Sequence, residues 1–179
     1  MNGGERWNSA DGTRDGLRQG ADGSKKVVLP GCRDGQRVAM KGDRVTGTEP
    51  CTPSPAYLPD LPTDADDMLA YLNKHHSGRQ GDANAMGKDI WALMDGRYLR
   101  PRSRAALFEA AATVPGLRVI RNAVDPGGRP ATEITWSTEG NSGGLFFDIR
   151  TFACLGVWAG QGSSAILQVA IVDQVGQRP

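Results

Sequence analysis

Leu117 to Ile171 reads LRVIRNAVDPGGRPATEITWSTEGNSGGLFFDIRTFACLGVWAGQGSSAILQVAI, and the period of this segment determines the architecture. Apolar residues alternate with polar ones in five short runs, a pattern typical of strands that bury one face. The runs are 117–119, 132–136, 145–149, 152–158 and 165–171. Segments rich in turn residues separate them at 125–128, 139–144, 150–151 and 160–164. The sequence therefore predicts four or five consecutive antiparallel strands joined by hairpin loops.

Apolar residues repeat at helical spacing upstream of these strands. The spacing predicts one helix that starts at a Thr63 cap and is ended by Gly78 and Gly81, a second over Ala83–Tyr98 and a third over Ser103–Val114. The N-terminal part is rich in glycine, and short strand-like runs at Glu5–Ala10, Lys26–Leu29 and Arg37–Met40 alternate with Asp-Gly pairs that favour tight turns.

Strands, helices and strands thus follow one another without regular βαβ alternation, which predicts the α+β class. We expect a curved antiparallel sheet with about three helices packed on its concave face. The length of 179 residues fits one domain, 1–179. Its parts are an N-terminal strand meander (1–59), a helical segment (60–116) and C-terminal antiparallel strands (117–179).

The charge pattern argues against a nucleic-acid partner. The net charge is +1, and the densest basic cluster is interrupted by Tyr98, Leu99 and Pro101. That cluster consists of Arg97, Arg100, Arg102 and Arg104. No apolar run approaches the roughly 20 residues that a membrane span needs, and no leader follows Met1. The chain as written is therefore expected to be cytoplasmic and to have no membrane span.

No motif in the sequence predicts a catalytic or cofactor-binding residue. Ser142, in Gly140–Gly144, fits the pattern of a nucleophile elbow, but the segment joins two strands, so a hairpin loop is the better interpretation. The segment Gly81–Asp89 superficially resembles a phosphate-binding loop, but its glycine spacing is wrong and Asp89 replaces the hydroxyl. Helix capping by Asp82 or Asn84 explains it better.

Metal binding is not predicted either. His75 and His76 are adjacent, so on a helix they point in different directions. The acidic cluster Asp60, Asp64, Asp66 and Asp67 lacks the glycine and closing glutamate of a calcium loop. Capping and interaction with the helix dipole explain both groups.

Three tryptophans, Trp91, Trp136 and Trp158, are candidates to line a pocket for an apolar small molecule or lipid. Core packing is the alternative for all three. A second alternative is an enzyme with an acid–base site in the same cavity, using carboxylates such as Asp148 or Asp173 at strand positions. A third is a purely structural interaction domain.

The cysteines allow two interpretations. Cys32 and Cys51 lie in turn-rich surroundings, whereas Cys154 lies in an apolar alternating run. A Cys32–Cys51 disulfide with a buried Cys154 thiol fits this pattern, and would persist only in an oxidising compartment. Two unrelated surface thiols fit the spacing equally well.

Four segments together resemble the extracytoplasmic domain of an uncharacterised actinobacterial family of membrane-anchored proteins. They are WNSADGTRDG (7–16), PGCRDG (30–35), CTPSPAYLPDLPTDA (51–65) and VDQVGQRP (172–179). The resemblance covers nearly the whole chain, and it implies an outer domain similar in outline to the LolA-like lipoprotein carriers, whose sheet forms a half-barrel. It also implies a chain that begins inside that domain, after the membrane helix and the first strand or two, and it strengthens the Cys32–Cys51 disulfide.

The resemblance transfers no catalytic residue. It implies a non-enzymatic binding or sensing module of the cell envelope, anchored outside the cytoplasm, whose partner is an apolar ligand or an envelope protein. This implied location differs from the cytoplasmic one expected for the chain as written. The sequence does not specify the oligomeric state.

Overall fold

The computed structural model describes residues 3–23, 25–42 and 44–179. Within these ranges it contains three α-helices and three antiparallel sheets, none of which closes into a barrel. The predicted α+β class is therefore confirmed. No helix in the same ranges is both long enough and apolar enough to cross a membrane.

The elements follow the order strands, helices, strands. The N-terminal strands are β1 Gly4–Trp7, β2 Gly16–Gly20, β3 Lys26–Leu29, β4 Gln36–Lys41 and β5 Arg44–Pro50. The helices are α1 Ala65–Lys74, α2 Ala83–Met94 and α3 Pro101–Thr113. The C-terminal strands are β6 Leu117–Val124, β7 Pro130–Thr138, β8 Asn141–Phe147, β9 Cys154–Ala159 and β10 Gly162–Ala165.

These elements form two compact units. The first unit holds the described residues up to Leu58, together with Gly96–Tyr98 and Ala170–Pro179. The second unit holds Pro59–Asp95 and Leu99–Val169. Compact units occur inside one domain as well as in two, so the single domain predicted for 1–179 stays a prediction.

The second unit contains the five-stranded sheet, in the order β10-β9-β8-β7-β6. Each strand pairs antiparallel with the next along the chain, as the two-residue period predicts. Gly128 and Gly140 stand in the turns that flank β7, with φ of +82° and +77°. Glycine occupies such left-handed positions at little steric cost, so these turns reverse the chain tightly.

Helices α1 and α2 begin at side-chain caps. Asp64, and not the predicted Thr63, caps α1, because its carboxylate accepts hydrogen bonds from the N–H groups of Asp66 and Asp67. Asp82 caps α2 by accepting from the N–H of Ala85 at 2.9 Å, as one of the sequence interpretations proposed.

The helices end or begin differently from the predicted boundaries. Helix α1 ends at Lys74, before the predicted Gly78. Helix α2 ends at Met94, because Gly96 adopts a left-handed φ of +66° that no helix continues. Helix α3 starts at Pro101, two residues before the prediction, since the fixed φ of proline suits the first helical position.

The core of the second unit lies between the helices and one face of the sheet. Helix residues and strand residues both contribute side chains that are fully buried. They are Met68, Ile90, Leu107, Ile134, Leu145 and Phe147, each with 0 % exposure. Phe108 of α3 adds an edge-on contact with Phe147, at 5.2 Å between ring centroids. This packing accounts for the apolar stripes that predicted the helices and the central strands.

The last strand differs from the prediction. The turn lies at Gly160–Gln161, so β10 covers residues that were expected to form the loop, and 166–171 belong to no sheet. The partner strand, β9, is too short to pair with a longer β10, because Ala165 already pairs with Gly156, only two residues from the start of β9 at Cys154. The predicted strand over 165–171 is therefore wrong beyond Ala165.

The first unit contains two small sheets, one of order β1-β2-β3 and one of β4-β5. Strand β3 matches the predicted run Lys26–Leu29, and β1 and β4 correspond to the other two predicted runs with shifted ends. Strands β2 and β5 were missed because their sequences, GLRQG and RVTGTEP, carry few apolar residues. Asp34 and Gly35 both adopt positive φ and make the predicted tight turn before β4.

Cys32 and Cys51 form the predicted disulfide, with 5.9 Å between their Cα atoms. Cys32 is buried, so the alternative of two surface thiols is wrong. Cys154 is the free cysteine among the described residues, and burial raises the pKa of its thiol to about 12.

We expect replacement of both disulfide cysteines, Cys32→Ala with Cys51→Ala, to lower the free energy of unfolding by about 3 kcal/mol, because the unfolded chain regains the freedom of the closed loop. Urea unfolding of the oxidised protein measures this. Cys154→Ser serves as the control for loss of a cysteine outside the disulfide. Alkylation supplies a second check: without reductant, one thiol should react after denaturation and none quickly in the native state. Three reactive thiols would contradict the disulfide.

Candidate functional site

Trp136 lies on the helix side of the five-stranded sheet and is 3 % exposed. Its indole fills a slot that two glycines leave open. A Cβ added at Gly87 of α2 or at Gly143 of β8 would meet ring atoms at 2.5 Å. The indole N–H donates to Oδ1 of Asn84 at 3.2 Å, which satisfies its one polar group. Trp136 is thus a core residue that fixes α2 against β7.

Trp158 lies on the opposite face of the same sheet. In the register, Trp136 pairs with Gly143 and Trp158 pairs with Gly144, and adjacent strand residues point to opposite faces. The Trp158 N–H donates to Oε1 of the buried Glu133 at 2.5 Å. Trp158 also packs against a small apolar cluster on that face, which consists of Ala131, Phe146 and Leu155.

The structure therefore does not bring Trp136 and Trp158 together. Trp91 is half-buried on α2. The prediction that these three tryptophans line a pocket stays a prediction, and any such pocket must use the two faces of the sheet separately.

A polar cluster that the sequence pattern did not predict joins the α1–α2 connection to α2. The Asp89 carboxylate accepts hydrogen bonds from the Ser77 hydroxyl at 2.6 Å, from the Ser77 N–H at 2.8 Å and from Nδ1 of His76 at 2.8 Å. Nε2 of His76 faces the carbonyl oxygen of Arg79 at 3.0 Å. Because both ring nitrogens face acceptors, this geometry favours the doubly protonated imidazolium.

This cluster contains the residue types of a hydrolase triad but not its connectivity. The serine hydroxyl donates to the aspartate, and the histidine nitrogen that would act as base is occupied by a carbonyl. The cluster instead holds the α1–α2 connection against α2. His75 is exposed and contacts the ring of Tyr71, and the described residues contain no group of three potential metal ligands.

We expect the stability of the second unit to fall as the pH rises above neutrality. The hydrogen bond to Asp89 raises the pKa of His76. Burial lowers this pKa, and the hydrogen bond to the Arg79 carbonyl raises it further. A raised pKa in the folded state contributes stability below the unfolded value, and that contribution is lost as pH rises through the folded pKa. His76→Gln should abolish this slope and cost about 2 kcal/mol at mildly acid pH. His75→Gln should keep the slope.

Thermal unfolding between about pH 5 and pH 9 measures the slope, and the His76 ring resonance reports its titration directly. Burial alone would raise the pKa of Asp89, but hydrogen bonds from Ser77 and His76 lower it overall. Its contribution is therefore lost only when the pH falls through that lowered value. Equal slopes in the parent and in His76→Gln would contradict the assignment.

An ion pair between the buried Asp125 and the partly exposed Arg129 holds the β6–β7 turn. The Asp125 side chain is 0 % exposed, and it accepts from the N–H groups of Gly127 and Arg129 and from the Arg129 guanidinium. The same guanidinium donates to the carbonyl oxygens of Leu155 and Ile166, each at 2.8 Å. The sequence predicted a hairpin loop here, but it could not show which strands the arginine would reach.

The structure places Ser142 in a strand and gives two arginines of the basic cluster backbone carbonyl partners. Ser142 lies inside β8, since the hairpin turn is only Glu139–Gly140. In the basic cluster, Arg97 donates to the Pro55 carbonyl of the first unit. Arg100, in the second unit, donates to the Leu61 carbonyl.

Both carboxylates of the acid–base alternative lie off the strands. Asp148 lies in the β8–β9 turn and accepts from the N–H groups of Arg150 and Thr151, and Asp173 is exposed near the C-terminus. The predicted strand positions of Asp148 and Asp173 are therefore wrong, because β8 ends at Phe147 and the last strand ends at Ala165.

Strand β6 forms an open edge of the five-stranded sheet. Residues 118–122 are exposed in succession, although the neighbouring strand β7 is largely buried. Val119 and Ile120 point to opposite faces and are 38 % and 45 % exposed. Two arginines, Arg118 and Arg121, are exposed on the same strand. The edge thus offers aliphatic side chains on both faces and positive charge.

The edge is also irregular. The register with β7 shifts between Ile120 and Ala123, and Asn122 adopts a left-handed φ of +59°. A bulge and arginines on an edge strand restrict pairing with arbitrary strands. The sequence predicted the strand but could not identify it as an edge, because edge position depends on the neighbours that the fold supplies.

Comparisons with protein-family models, with curated proteins and with solved structures find no match to this chain.

Proposed function

We propose that this chain is a non-enzymatic, protein-binding module of the cell envelope, and that its partner docks as an extended segment along β6. The observation that carries the proposal is the run of five exposed residues, 118–122, on the open edge of a sheet whose next strand is buried. An extended segment that pairs with such an edge gains main-chain hydrogen bonds and contacts alternate side chains.

The packing of the second unit favours a protein partner over an apolar small molecule or lipid. The side chains between helices and sheet fill that space themselves, as the complete burial of Ile90, Leu107 and Leu145 indicates. An apolar ligand would have to displace them. An edge partner displaces nothing, because Val119, Ile120 and Val124 already face solvent.

The carboxylates best placed for acid–base chemistry serve structural roles, which argues against the enzyme alternative. Asp89 binds the α1–α2 connection, Asp125 binds Arg129, and Asp148 binds its own turn. Hydrogen bonds and the nearby arginines lower the pKa of Asp125 and Asp148 despite their burial. A general acid or base at neutral pH needs the opposite adjustment.

Placement in the cell envelope has two supports. The Cys32–Cys51 disulfide suits an oxidising compartment. The resemblance to membrane-anchored extracytoplasmic domains points the same way. The half-barrel of the LolA-like carriers belongs to this proposal too, with three helices on one face of an antiparallel meander as its support.

The charge of the edge specifies the partner further. Arg118 and Arg121 are exposed and lie three residues apart on β6. An extended segment with two adjacent aliphatic residues flanked on each side by Asp or Glu would match both the apolar side chains and the arginines. The proposed partner is therefore an acidic, apolar strand of another protein.

Selection of peptides from a random display library tests the proposal. We expect selection on the native chain to enrich peptides in which Asp or Glu flanks a pair of aliphatic residues. The double variant Arg118→Glu with Arg121→Glu should reverse the preference toward Lys and Arg. A control with the same charge change at exposed arginines outside β6, Arg102→Glu with Arg150→Glu, should retain the original preference. Enrichment that ignores the β6 reversal would contradict the proposal.

A further inference from the structure

The segment Ile166–Val172, here the C-terminal segment, carries the largest exposed apolar side chains near the end of the chain. It reads ILQVAIV, with no charged residue, no proline and no glycine. Leu167, Val169 and Ile171 are 81 %, 51 % and 65 % exposed, whereas Ile166 and Val172 are half-buried. One set of alternating positions is thus apolar and exposed to solvent.

Beyond Ile166 the backbone of this segment is unpartnered as well. Ile166 donates its N–H to the Leu155 carbonyl at 2.7 Å, and Arg129 binds the Ile166 carbonyl. Within the described residues, 167–172 take part in no backbone–backbone hydrogen bond. A β-competent apolar sequence with free N–H and C=O groups is a template for pairing with another strand.

We propose that the C-terminal segment pairs antiparallel with the same segment of a second copy of this chain, about a twofold axis at Val169. In that register Val169 lies opposite Val169, and Leu167 lies opposite Ile171. The exposed side chains of both copies then meet on one face, where cross-strand pairs of aliphatic residues stabilise a sheet. A twofold arrangement uses the same patch on each copy and closes at a dimer.

The absence of charge favours a second copy of this neutral segment over a charged strand as the occupant. The segment is neutral, and the nearest charged residue downstream, Asp173, would lie opposite Ala165, so no like charges meet. The other open edge behaves differently. Antiparallel self-pairing of β6 centred between Val119 and Ile120 would place Arg118 opposite Arg121, which is repulsive. Self-association therefore fits the C-terminal segment, and β6 is left for an acidic partner.

Sedimentation velocity across a concentration series from low micromolar to near-millimolar tests the inference, because one strand pair buries little area and gives a weak dimer. We expect the parent chain to pass from monomer to dimer. Val169→Asp and Val169→Lys should each weaken dimerisation at least about tenfold, since each places like charges on the axis. An equimolar mixture of the two variants should restore the dimer, because the introduced carboxylate then faces the introduced ammonium.

Val175→Asp is the matched control, since Val175 is 54 % exposed and lies outside the segment. It should leave dimerisation unchanged. A parent chain that stays monomeric, a dimer that survives Val169→Asp, or a mixture that stays monomeric would each overturn the inference. Peptide binding at β6 is measured separately and should be intact in Val169→Asp, so failure of one proposal is distinguishable from failure of the other.

Discussion

Trp136→Ala is expected to lower the free energy of unfolding by about 3–5 kcal/mol, the range for truncating a large buried aromatic residue. The indole is 3 % exposed and fills the slot between Gly87 and Gly143. Its removal leaves a cavity between α2 and the sheet, and it leaves Asn84 Oδ1 without its donor. Urea unfolding monitored by far-ultraviolet circular dichroism measures the loss, because it does not depend on the deleted fluorophore.

Trp91→Ala is the matched control, because it removes an indole from the same part of the molecule at a half-buried position. It should cost clearly less than Trp136→Ala. Gly87→Ala tests the same slot by filling it from the α2 side, with Trp136 still in place. Its new Cβ would meet the Trp136 ring at 2.5 Å, so we expect a loss of about 1–3 kcal/mol from overpacking. Similar stability in Trp136→Ala and Trp91→Ala would contradict the packing described for α2.

Arg129→Met is the second change with a large expected effect, again a loss of about 3–5 kcal/mol. The Asp125 side chain is 0 % exposed, so the variant leaves a buried carboxylate without its counter-charge. It also removes the hydrogen bonds to the Leu155 and Ile166 carbonyls, which hold the strand β9 and the residue after β10 to the β6–β7 turn. Chemical unfolding at neutral pH measures the loss.

The double variant Asp125→Asn with Arg129→Met separates charge from packing. Because it removes both charges, it should recover part of the stability that Arg129→Met loses. Burial alone would raise the pKa of Asp125, but hydrogen bonds from Arg129 lower it overall. The parent therefore keeps this contribution until the pH falls through that lowered pKa. A double variant less stable than Arg129→Met would contradict the account.

Much of the second unit could be predicted from the sequence because one physical signal dominates it. The two-residue period of Ile134 and Trp136 reflects burial of one face of β7 against the helices. The helical stripes reflect the other side of the same core. These signals predicted the meander and the three helices, although helix ends depended on local capping by Asp64 and on the left-handed Gly96.

Prediction from the sequence pattern was wrong or incomplete where the available strand partners, and not the apolar period, determine the structure. Residues 166–171 alternate like a strand, yet β9 extends only two residues beyond the Gly156 that pairs with Ala165. Strands β2 and β5 lack an apolar period because their sequences contain few apolar residues, and β5 is largely exposed.

The polar contacts of the site could not be predicted from the sequence for a related reason. The His76–Asp89 contact, the reach of Arg129 across the sheet and the open edge at β6 all depend on residues distant in sequence. The tryptophans were found by type, but their division between two faces of the sheet follows only from the strand register.

Hydrogen–deuterium exchange of the native chain, with and without a selected acidic peptide, tests the protein-binding edge most directly. Pairing along β6 should slow exchange of those amides in 118–124 that face away from β7 by at least about tenfold, while leaving β3, at 26–29, unchanged. Protection confined to the helices or to the first unit, with exchange in 118–124 unaltered, would contradict the account.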